Sequence, residues 1–344
     1  MNEIDMSKYR IRTDLVVDEL DNIKDDNIKI EKRLIDNIKI TDIEVKKEYE
    51  TKINKKQGRY ITIEFEDVTD YHNRQKVMEA FTSEFKNLLQ ELNISDEYTC
   101  LSIGLGNEKS TPDSLGPKTI DNILVTKHLF TLDKNHVEPG YRCVSAFNPG
   151  VMGVTGIETS ELIKSLITTI KPDFVIVVDA LAASSITRVN KTIQMTDSGI
   201  HPGSGVGNSR KEISKEVLGI PVIAIGIPTV VDAVTIVSDT IHYMMKHFSY
   251  VKQNINNPAN KLAVKKVNYI KKDNIKELNS EERKRYIGLL GELTDEEIHS
   301  LIFEVLSPIN YNLMVTPKEV DFIIDKLAEV LSTGINKCLH KNVK

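Results

Sequence analysis

One apolar run near the middle of the chain constrains the fold more than any other stretch. Phe174–Val178 is rich in β-branched side chains and is entered through Pro172, a pattern typical of a strand buried on both faces of a sheet. Asp179 follows it directly. Because ligands bind at the carboxyl ends of strands in open α/β sheets, Asp179 is either a site residue or a cap for the next segment.

Strand patterns and helix patterns alternate along most of the chain, and the alternation predicts the fold class. Strands separated by helices favour an α/β protein with a mostly parallel sheet flanked by helices. Helical patterns after residue 280 add a helical C-terminal portion. The predicted strands are 59–66, 98–104, 141–147, 174–178, 188–195 and 220–226, the last ended by Pro228, and the predicted helices are 72–92, 118–130, 157–170, 230–248, 281–290, 294–306 and 317–339.

Changes in composition divide the chain. Residues 1–57 are densely charged and lack sustained periodicity, which indicates an arm or a small peripheral layer. Residues 250–280 are rich in Asn and Lys, which is typical of a linker. We therefore expect an α/β catalytic core over 58–250, and a linker with C-terminal helices packed on the core over 251–344.

Charge and cysteine content exclude several classes of protein. The chain carries 45 Lys and Arg against 50 Asp and Glu, and a net charge of −5 argues against a nucleic-acid binder. Its three cysteines are widely spaced without a CxxC pair, so neither a disulfide framework nor a zinc ribbon is indicated. The sequence has neither a signal-peptide core nor an apolar run of membrane-spanning length. We expect a soluble protein of a reducing, cytoplasmic compartment.

A second stretch, Leu101–Pro117, also runs from a strand into a polar loop. Gly104-x-Gly106-Asn107 suggests dinucleotide binding only weakly, because Lys109 stands where a third glycine would fall. The glycines are better suited to a tight turn that presents N–H groups, which makes Gly104–Asn107 a candidate for carbonyl stabilisation. Asp113, later in this loop, taken alone is a typical helix-start residue.

Asp113 and Asp179 gain meaning as a pair, because each follows a buried strand and both would lie along one edge of the sheet. Two carboxylates about 4 Å apart repel by roughly 4 kcal/mol at an effective dielectric of about 20. Such repulsion lifts the pKa of one acid from about 4 to near 7. One carboxyl can then take a proton from water while the other donates one to a carbonyl or a leaving amine. An amide hydrolase without a nucleophilic Ser or Cys needs these two functions.

A third stretch, Asp197–Ile213, is rich in glycine and holds His201. Three roles for His201 stay open: a structural hydrogen bond, a metal ligand together with Asp113 and Asp179, or an electrophile. Arg210 and Lys211 are candidates to receive an acidic substrate side chain, with a solvated pair of surface charges as the alternative.

These stretches together resemble the germination protease (spore endopeptidase) family. The resemblance covers nearly the whole chain and is weakest in residues 20–57 and 250–280. The segments that carry it are Arg12–Leu15, Gly104–Asn107, Thr111–Pro117, Pro149–Gly153, Thr155–Thr159, Pro172–Phe174, Asp179–Ala183, Asp197–Asn208, Ile220–Ala233 and Asn312–Asp321.

The resemblance implies a peptidase that starts the degradation of small acid-soluble spore proteins during germination. It implies a zymogen made in the forespore, a homotetramer in the cytoplasm of the forespore and spore core, and no cofactor, nucleic-acid contact or membrane contact. The family's two essential aspartates fall on Asp113 and Asp179. The fold of the family is similar to that of hydrogenase maturation endopeptidases. Their metal ligands occupy comparable positions, so a metal bound by Asp113, Asp179 and His201 stays an alternative.

The resemblance also gives meaning to the N-terminus. Family substrates are cut after an acid and before a large apolar residue, with a small residue and another acid following. Asp14-Leu15-Val16-Val17-Asp18 follows this pattern, except that Val16 stands where a smaller residue is expected. We therefore expect residues 1–14 to be a propeptide that the enzyme itself cuts between Asp14 and Leu15, followed by an arm over 15–57. A metal-dependent maturation-type peptidase and a non-catalytic ligand-sensing scaffold are the alternative functions.

Overall fold

The computed structural model describes residues 13–20, 28–133, 137–206, 210–256, 275–306 and 313–343. The chain divides into two compact units. The larger unit comprises Arg12–Val231 and Thr316–Lys344, and the smaller comprises Met1–Ile11 and Asp232–Val315. Most of the predicted propeptide, and residues 257–274 of the predicted linker, lie outside the described residues. The predicted domain boundaries therefore stay predictions.

The larger unit is built on one sheet, and its strands were mostly foreseen from the sequence. They run in the spatial order β1-β2-β3-β7-β8-β6-β4-β5. Two strands, β6 and β8, extend well beyond the apolar runs that predict them. The strands are β1 (Lys29–Ile35), β2 (Ile38–Val45), β3 (Gly58–Glu64), β4 (Cys100–Gly104), β5 (Val144–Phe147), β6 (Phe174–Ala183), β7 (Thr192–Thr196) and β8 (Val222–Asp232), whose last residue belongs to the smaller unit.

The sheet is mixed, so the prediction of a mostly parallel sheet was wrong. β8, β6, β4 and β5 pair in parallel, whereas β1, β2, β3, β7 and β8 pair antiparallel. The antiparallel half begins with a hairpin within residues 29–45, a region predicted as an arm. β1 is exposed along its whole length and so lacks the alternation that marks a half-buried strand. Its tight turn is Asp36-Asn37, both with positive φ, which is typical of a two-residue hairpin loop.

Pro228 was predicted to end β8, but it lies inside the strand, opposite Leu181. The pairing of β6 with β8 shifts register between Leu181 and Ala182. Proline is tolerated at such irregularities because no ladder hydrogen bond from its nitrogen is required there. The irregularity thus lets β6 and β8 continue beyond the apolar runs that predict them.

Two helices cover one face of the sheet. α3 begins after Asp70, whose carboxylate accepts the Asn73 N–H at 2.9 Å, and it packs against the C-terminal helix Val320–Leu339. The predicted helix over 118–130 is instead two short helices. The helices of the larger unit are α1 (Val16–Leu20), α2 (Glu50–Ile53), α3 (Tyr71–Glu91), α4 (Leu115–Asp121), α5 (Lys127–Asp133), α6 (Met152–Thr155), α7 (Thr159–Ile170), α8 (Lys215–Leu218) and Val320–Leu339, with 3-10 turns at Lys47–Tyr49, Thr111–Asp113 and Ser204–Val206.

Alternate residues of β6 enter two cores, as expected for a strand buried on both faces. Ile176 and Val178 belong to the core that contains Phe81 and Phe85 of α3. The intervening residues, Val175 and Val177, join Leu101, Ile103 and Ile163 in the core on the other side. The central strand is therefore buried on both faces up to the residue that precedes Asp179.

The smaller unit is helical. α9 (Ala233–Gln253) begins at Asp232, whose carboxylate caps the helix by accepting the Val234 N–H at 2.7 Å. Val234, Ile298 and Ile302 form its buried core. None of the described helices in either unit is long and apolar enough to span a membrane. The remaining elements of the smaller unit are the helices Ser280–Ile287 and Asp295–Leu306, the 3-10 turn Gly288–Glu292 and the short strand Met314–Val315.

Candidate active site

Neighbouring parallel strands bring the two predicted catalytic aspartates together. Gly104, the last residue of β4, pairs with Val178 of β6, and the Leu105 N–H donates to the Val178 carbonyl at 2.8 Å. Asp179 is the next residue of β6 and is 6% exposed. Asp113 ends the 3-10 turn Thr111–Asp113 that follows the Leu105 loop.

The loop Gly104–Asn107 holds Asp113 in place. The Asn107 N–H donates to Oδ2 of Asp113 at 2.8 Å and also approaches the Asp113 carbonyl oxygen at 3.1 Å. Gly106 has φ +114°, and a Cβ there would lie 2.0 Å from that carbonyl oxygen. Gly104 is equally constrained, since a Cβ would lie 2.5 Å from the Gly116 backbone. The two glycines therefore allow neighbouring backbone segments to approach closely. The Asn107 N–H group is hydrogen-bonded to the Asp113 carboxylate.

Burial raises the pKa of both carboxyl groups, and for Asp179 neighbouring negative charge raises it further. The pKa of Asp179 is raised well above its ordinary value, first by burial and then by the negative charges of Asp113 and Asp14, while the Ala180 N–H opposes the shift. Burial also raises the pKa of Asp113, against the hydrogen bond from Asn107 and the charge of Arg210. A pair with these properties retains a proton at a pH where an ordinary aspartate has lost it.

Of the other three candidates, Arg210 lies near the aspartate pair, whereas Lys211 and His201 have other partners. The positive charge of Arg210 acts on both Asp113 and Asp179. Lys211 is exposed and pairs with Glu161 at 3.0 Å, as a surface ion pair. The His201 ring lies 3.7 Å from Glu212. Within the described part of the chain, no three His, Cys, Asp or Glu side chains form a group that could hold a metal ion.

The predicted self-cleavage sequence lies against the end of β6. The Asp14 N–H donates to the Ala182 carbonyl at 3.0 Å, and the Ala182 N–H donates to Oδ2 of Asp14 at 2.9 Å. Ser204 Oγ donates to Oδ1 of Asp14 at 2.7 Å, and Leu15 is fully buried. The negative charge of Asp14 is among those that raise the pKa of Asp179, so this segment lies beside the aspartate pair.

Several side chains that contact this segment were not predicted from the sequence. Gln194 of β7 donates from Nε2 to the Asp14 carbonyl at 3.0 Å and accepts the Val16 N–H at 2.7 Å. Arg188 forms an ion pair with Asp18. Arg188 and Gln194 belong to no recognisable motif, whereas Ser204 lies in the glycine-rich stretch Asp197–Ile213.

Comparison with known proteins relates the chain to one group of proteases. The germination protease family matches residues 8–344. Proteins named germination protease from Geobacillus sp. strain WCH70, Bacillus subtilis strain 168 and Priestia megaterium strain ATCC 12872 are 48%, 49% and 47% identical to it. Each of these matches covers 99% of this chain and 96% of the relative.

Proposed function

Because this chain belongs to the germination protease family, we propose that it is the endopeptidase that starts the degradation of small acid-soluble spore proteins during germination. It acts in the cytoplasm of the forespore and spore core as a homotetramer, without a cofactor. It cleaves after an acidic residue. It is made as a zymogen whose residues 1–14 are removed by its own cut between Asp14 and Leu15.

The proposed chemistry uses Asp113 and Asp179 as one acid–base pair. The ionised carboxylate takes a proton from a water molecule, whose oxygen bonds to the carbon of the scissile carbonyl. The protonated carboxyl donates its proton to the carbonyl oxygen. When the tetrahedral intermediate collapses, the C–N bond breaks, and the leaving amine takes the proton that came from water. One hydroxyl group of the intermediate returns its proton to the other carboxylate, so the pair again holds one proton.

One observation carries this proposal: a buried Asp179 lies beside the charge of Asp113, where the parallel pairing of β4 with β6 ends. Burial and like charge are the two environmental effects that keep one carboxyl protonated near neutral pH. Strongly shifted carboxyl groups at a sheet edge are found more often at catalytic sites than elsewhere. The position of Asp14 and Leu15 beside the pair supports the proposed self-cleavage.

Two amide substitutions test the proposal. Asp113→Asn and Asp179→Asn keep side-chain size but remove the acid–base function, so each variant should lose cleavage of a small acid-soluble spore protein by at least about a hundredfold. Circular dichroism should match the wild-type chain. Asp321→Asn, at an exposed aspartate on the C-terminal helix, is the matched control and should digest the protein normally.

Three outcomes contradict parts of the proposal. Digestion of the spore protein by both amide variants would contradict the catalytic role of the aspartate pair. Activity that is lost to a chelator and restored by a metal ion would favour the metal-dependent alternative through Asp113, Asp179 and His201. A wild-type chain that digests nothing would favour the ligand-sensing scaffold. Sedimentation of the purified chain tests the tetramer.

A further inference from the structure

In the segment Thr13–Asp18 of the larger unit, Thr13 and Asp14 are half-buried and the other residues are buried, although Asp14 and Asp18 are acidic. Leu15 and Val16 are fully buried, and Asp18 is 3% exposed. Burying a carboxylate is energetically costly unless polar groups surround it. The groups that surround Asp14 and Asp18 therefore indicate what this surface is built to bind.

The Asp14 carboxylate sits in a pocket of its own size. Each oxygen accepts one hydrogen bond, from the Ala182 N–H at 2.9 Å and from Ser204 Oγ at 2.7 Å. Gly205 closes the pocket, and a Cβ there would lie 2.2 Å from Oδ2 of Asp14. The backbone of Gly205 would accept alanine, since its φ is not positive. The missing side chain therefore leaves the space that the carboxylate fills.

The Asp18 carboxylate has a second pocket, two residues further along the chain from Ala182. The Ser184 N–H donates to its Oδ2 at 2.8 Å, and Arg188 pairs with Oδ1. Thr13 Oγ1 adds a hydrogen bond within the segment. Both pockets depend on backbone N–H groups beyond Val178, the last residue that pairs with β4: Ala182 near the end of β6, and Ser184 just after it.

We infer that these pockets are substrate subsites: Ala182, Ser204 and Gly205 receive the acid before the scissile bond, and Ser184 with Arg188 receives the acid four residues later. The inference rests on the proposed function. The segment then lies in the groove as the chain's own substrate. While it stays there, it excludes any other substrate, which accounts for a silent zymogen.

A peptide assay tests the first subsite. The substrates are the chain's own residues 10–20 as a free peptide, with either aspartate or alanine at the position of Asp14. Loss of one hydrogen bond to a charged group should lower the preference of processed Ser204→Ala for the aspartate peptide about 10- to 100-fold in kcat/KM. The rate on the alanine peptide should not change. Ser165→Ala, at an exposed serine of α7, is the control.

The second subsite has its own pair of peptides, with aspartate or asparagine at the position of Asp18. Arg188→Gln should reduce the preference for aspartate there and leave the preference at the first position unchanged. An equal loss on both peptides of either pair would overturn the corresponding subsite. If wild-type and Asp179→Asn chains both leave every peptide intact, the proposed function fails and the subsites fail with it.

A protection experiment tests the pocket without the chain's own activity. In the Asp179→Asn background, Gly205→Ala should expel Asp14, so that an added acid-specific endopeptidase cuts after Asp14 at least about tenfold faster. Gly153→Ala is the matched control, because a Cβ there meets nothing within 4 Å. If the bond after Asp14 is equally protected in Gly205→Ala, the proposed pocket for the Asp14 carboxylate is wrong.

A separate observation assigns a role to Gln194. Its Nε2 donates to the Asp14 carbonyl oxygen at 3.0 Å, and that carbonyl belongs to the bond proposed to be cut. Gln194 and Asp179 both lie opposite Gly226, on the strands that flank β8, so their side chains share one face of the sheet. We propose that Gln194 polarises the scissile carbonyl and stabilises the negative charge that develops on its oxygen.

Substitution of Gln194 should change kcat rather than specificity. Gln194→Met removes the donor and should lower kcat for the 10–20 peptides about 100- to 1000-fold, with the preference for aspartate unchanged. Gln194→Glu keeps the acceptor for the Val16 N–H and donates only when protonated, so its activity relative to wild type should recover as the pH falls. A change in KM alone, or no recovery of Gln194→Glu at low pH, would refute the role.

Discussion

Replacement of Asp179 by asparagine should stabilise the protein, and the gain should depend on pH. An unfolded aspartate has a pKa of about 3.9. Burial, with the charges of Asp113 and Asp14, raises the pKa of Asp179 in the folded chain. Between the unfolded and folded pKa values the folded state binds the extra proton, so its stability is fully present below the unfolded pKa and is lost as the pH rises.

The magnitude follows from this linkage. One bound proton changes the free energy of unfolding by about 1.4 kcal/mol per pH unit. Asparagine does not titrate, and its Oδ1 retains the hydrogen bond from the Ala180 N–H, which is 2.9 Å long in the wild-type chain. The difference in stability between variant and wild type should therefore grow by up to about 1.4 kcal/mol per unit above pH ~4 and level off above the folded pKa.

Urea unfolding at half-unit steps from pH 4 to pH 8 measures this difference. Asp113 titrates in both proteins, so its contribution largely cancels in the comparison. Asp321→Asn, at an exposed aspartate, should show no such growth. A difference that stays constant from pH 4 to pH 8 would refute the raised pKa of Asp179, and with it the reason for a shared proton.

Two further substitutions probe the site and the core. Arg210→Gln removes a positive charge that lowers the pKa of both aspartates. The alkaline limb of the pH–activity profile should therefore move to higher pH. A limb that stays in place or moves to lower pH would contradict the placement of Arg210. Gly334→Ala places a Cβ 2.4 Å from the Phe81 ring and should lower the free energy of unfolding by about 1–3 kcal/mol. Gly153→Ala places its Cβ in open space and should leave that free energy unchanged. Thermal unfolding of both variants measures the difference.

Much of the fold could be predicted because burial leaves a pattern in the sequence. β6 has an apolar run that supplies both cores, and α3 has apolar residues at helical spacing. The antiparallel half of the sheet could not be predicted in the same way. β1 is exposed throughout and so carries no alternation, and its pairing with β2 depends on a hairpin turn at Asp36-Asn37.

The site shows the same division between side chains and backbone. Asp113 and Asp179 could be paired from the sequence because each follows an apolar strand that enters the same sheet. The groups that contact Asp14 and Asp18 include the N–H groups of Ala182 and Ser184, which any residue except proline would supply. The direction of these N–H groups depends on how far β6 continues, and the apolar run predicted a strand that ends at Val178.

Asp14, Asp113 and Asp179 lie together where β6 extends beyond β4, and their charges bear on the proposed zymogen. Asp14 adds negative charge beside Asp179 and so raises its pKa further. The same residue is anchored by two hydrogen bonds that do not involve either catalytic candidate. Removal of Asp14 after the cut would therefore both open the groove and lower the pKa of Asp179. In the proposed mechanism, a substrate acid that enters the same pocket raises the pKa of Asp179 again, so the pair retains a proton for the self-cut and for each later cut.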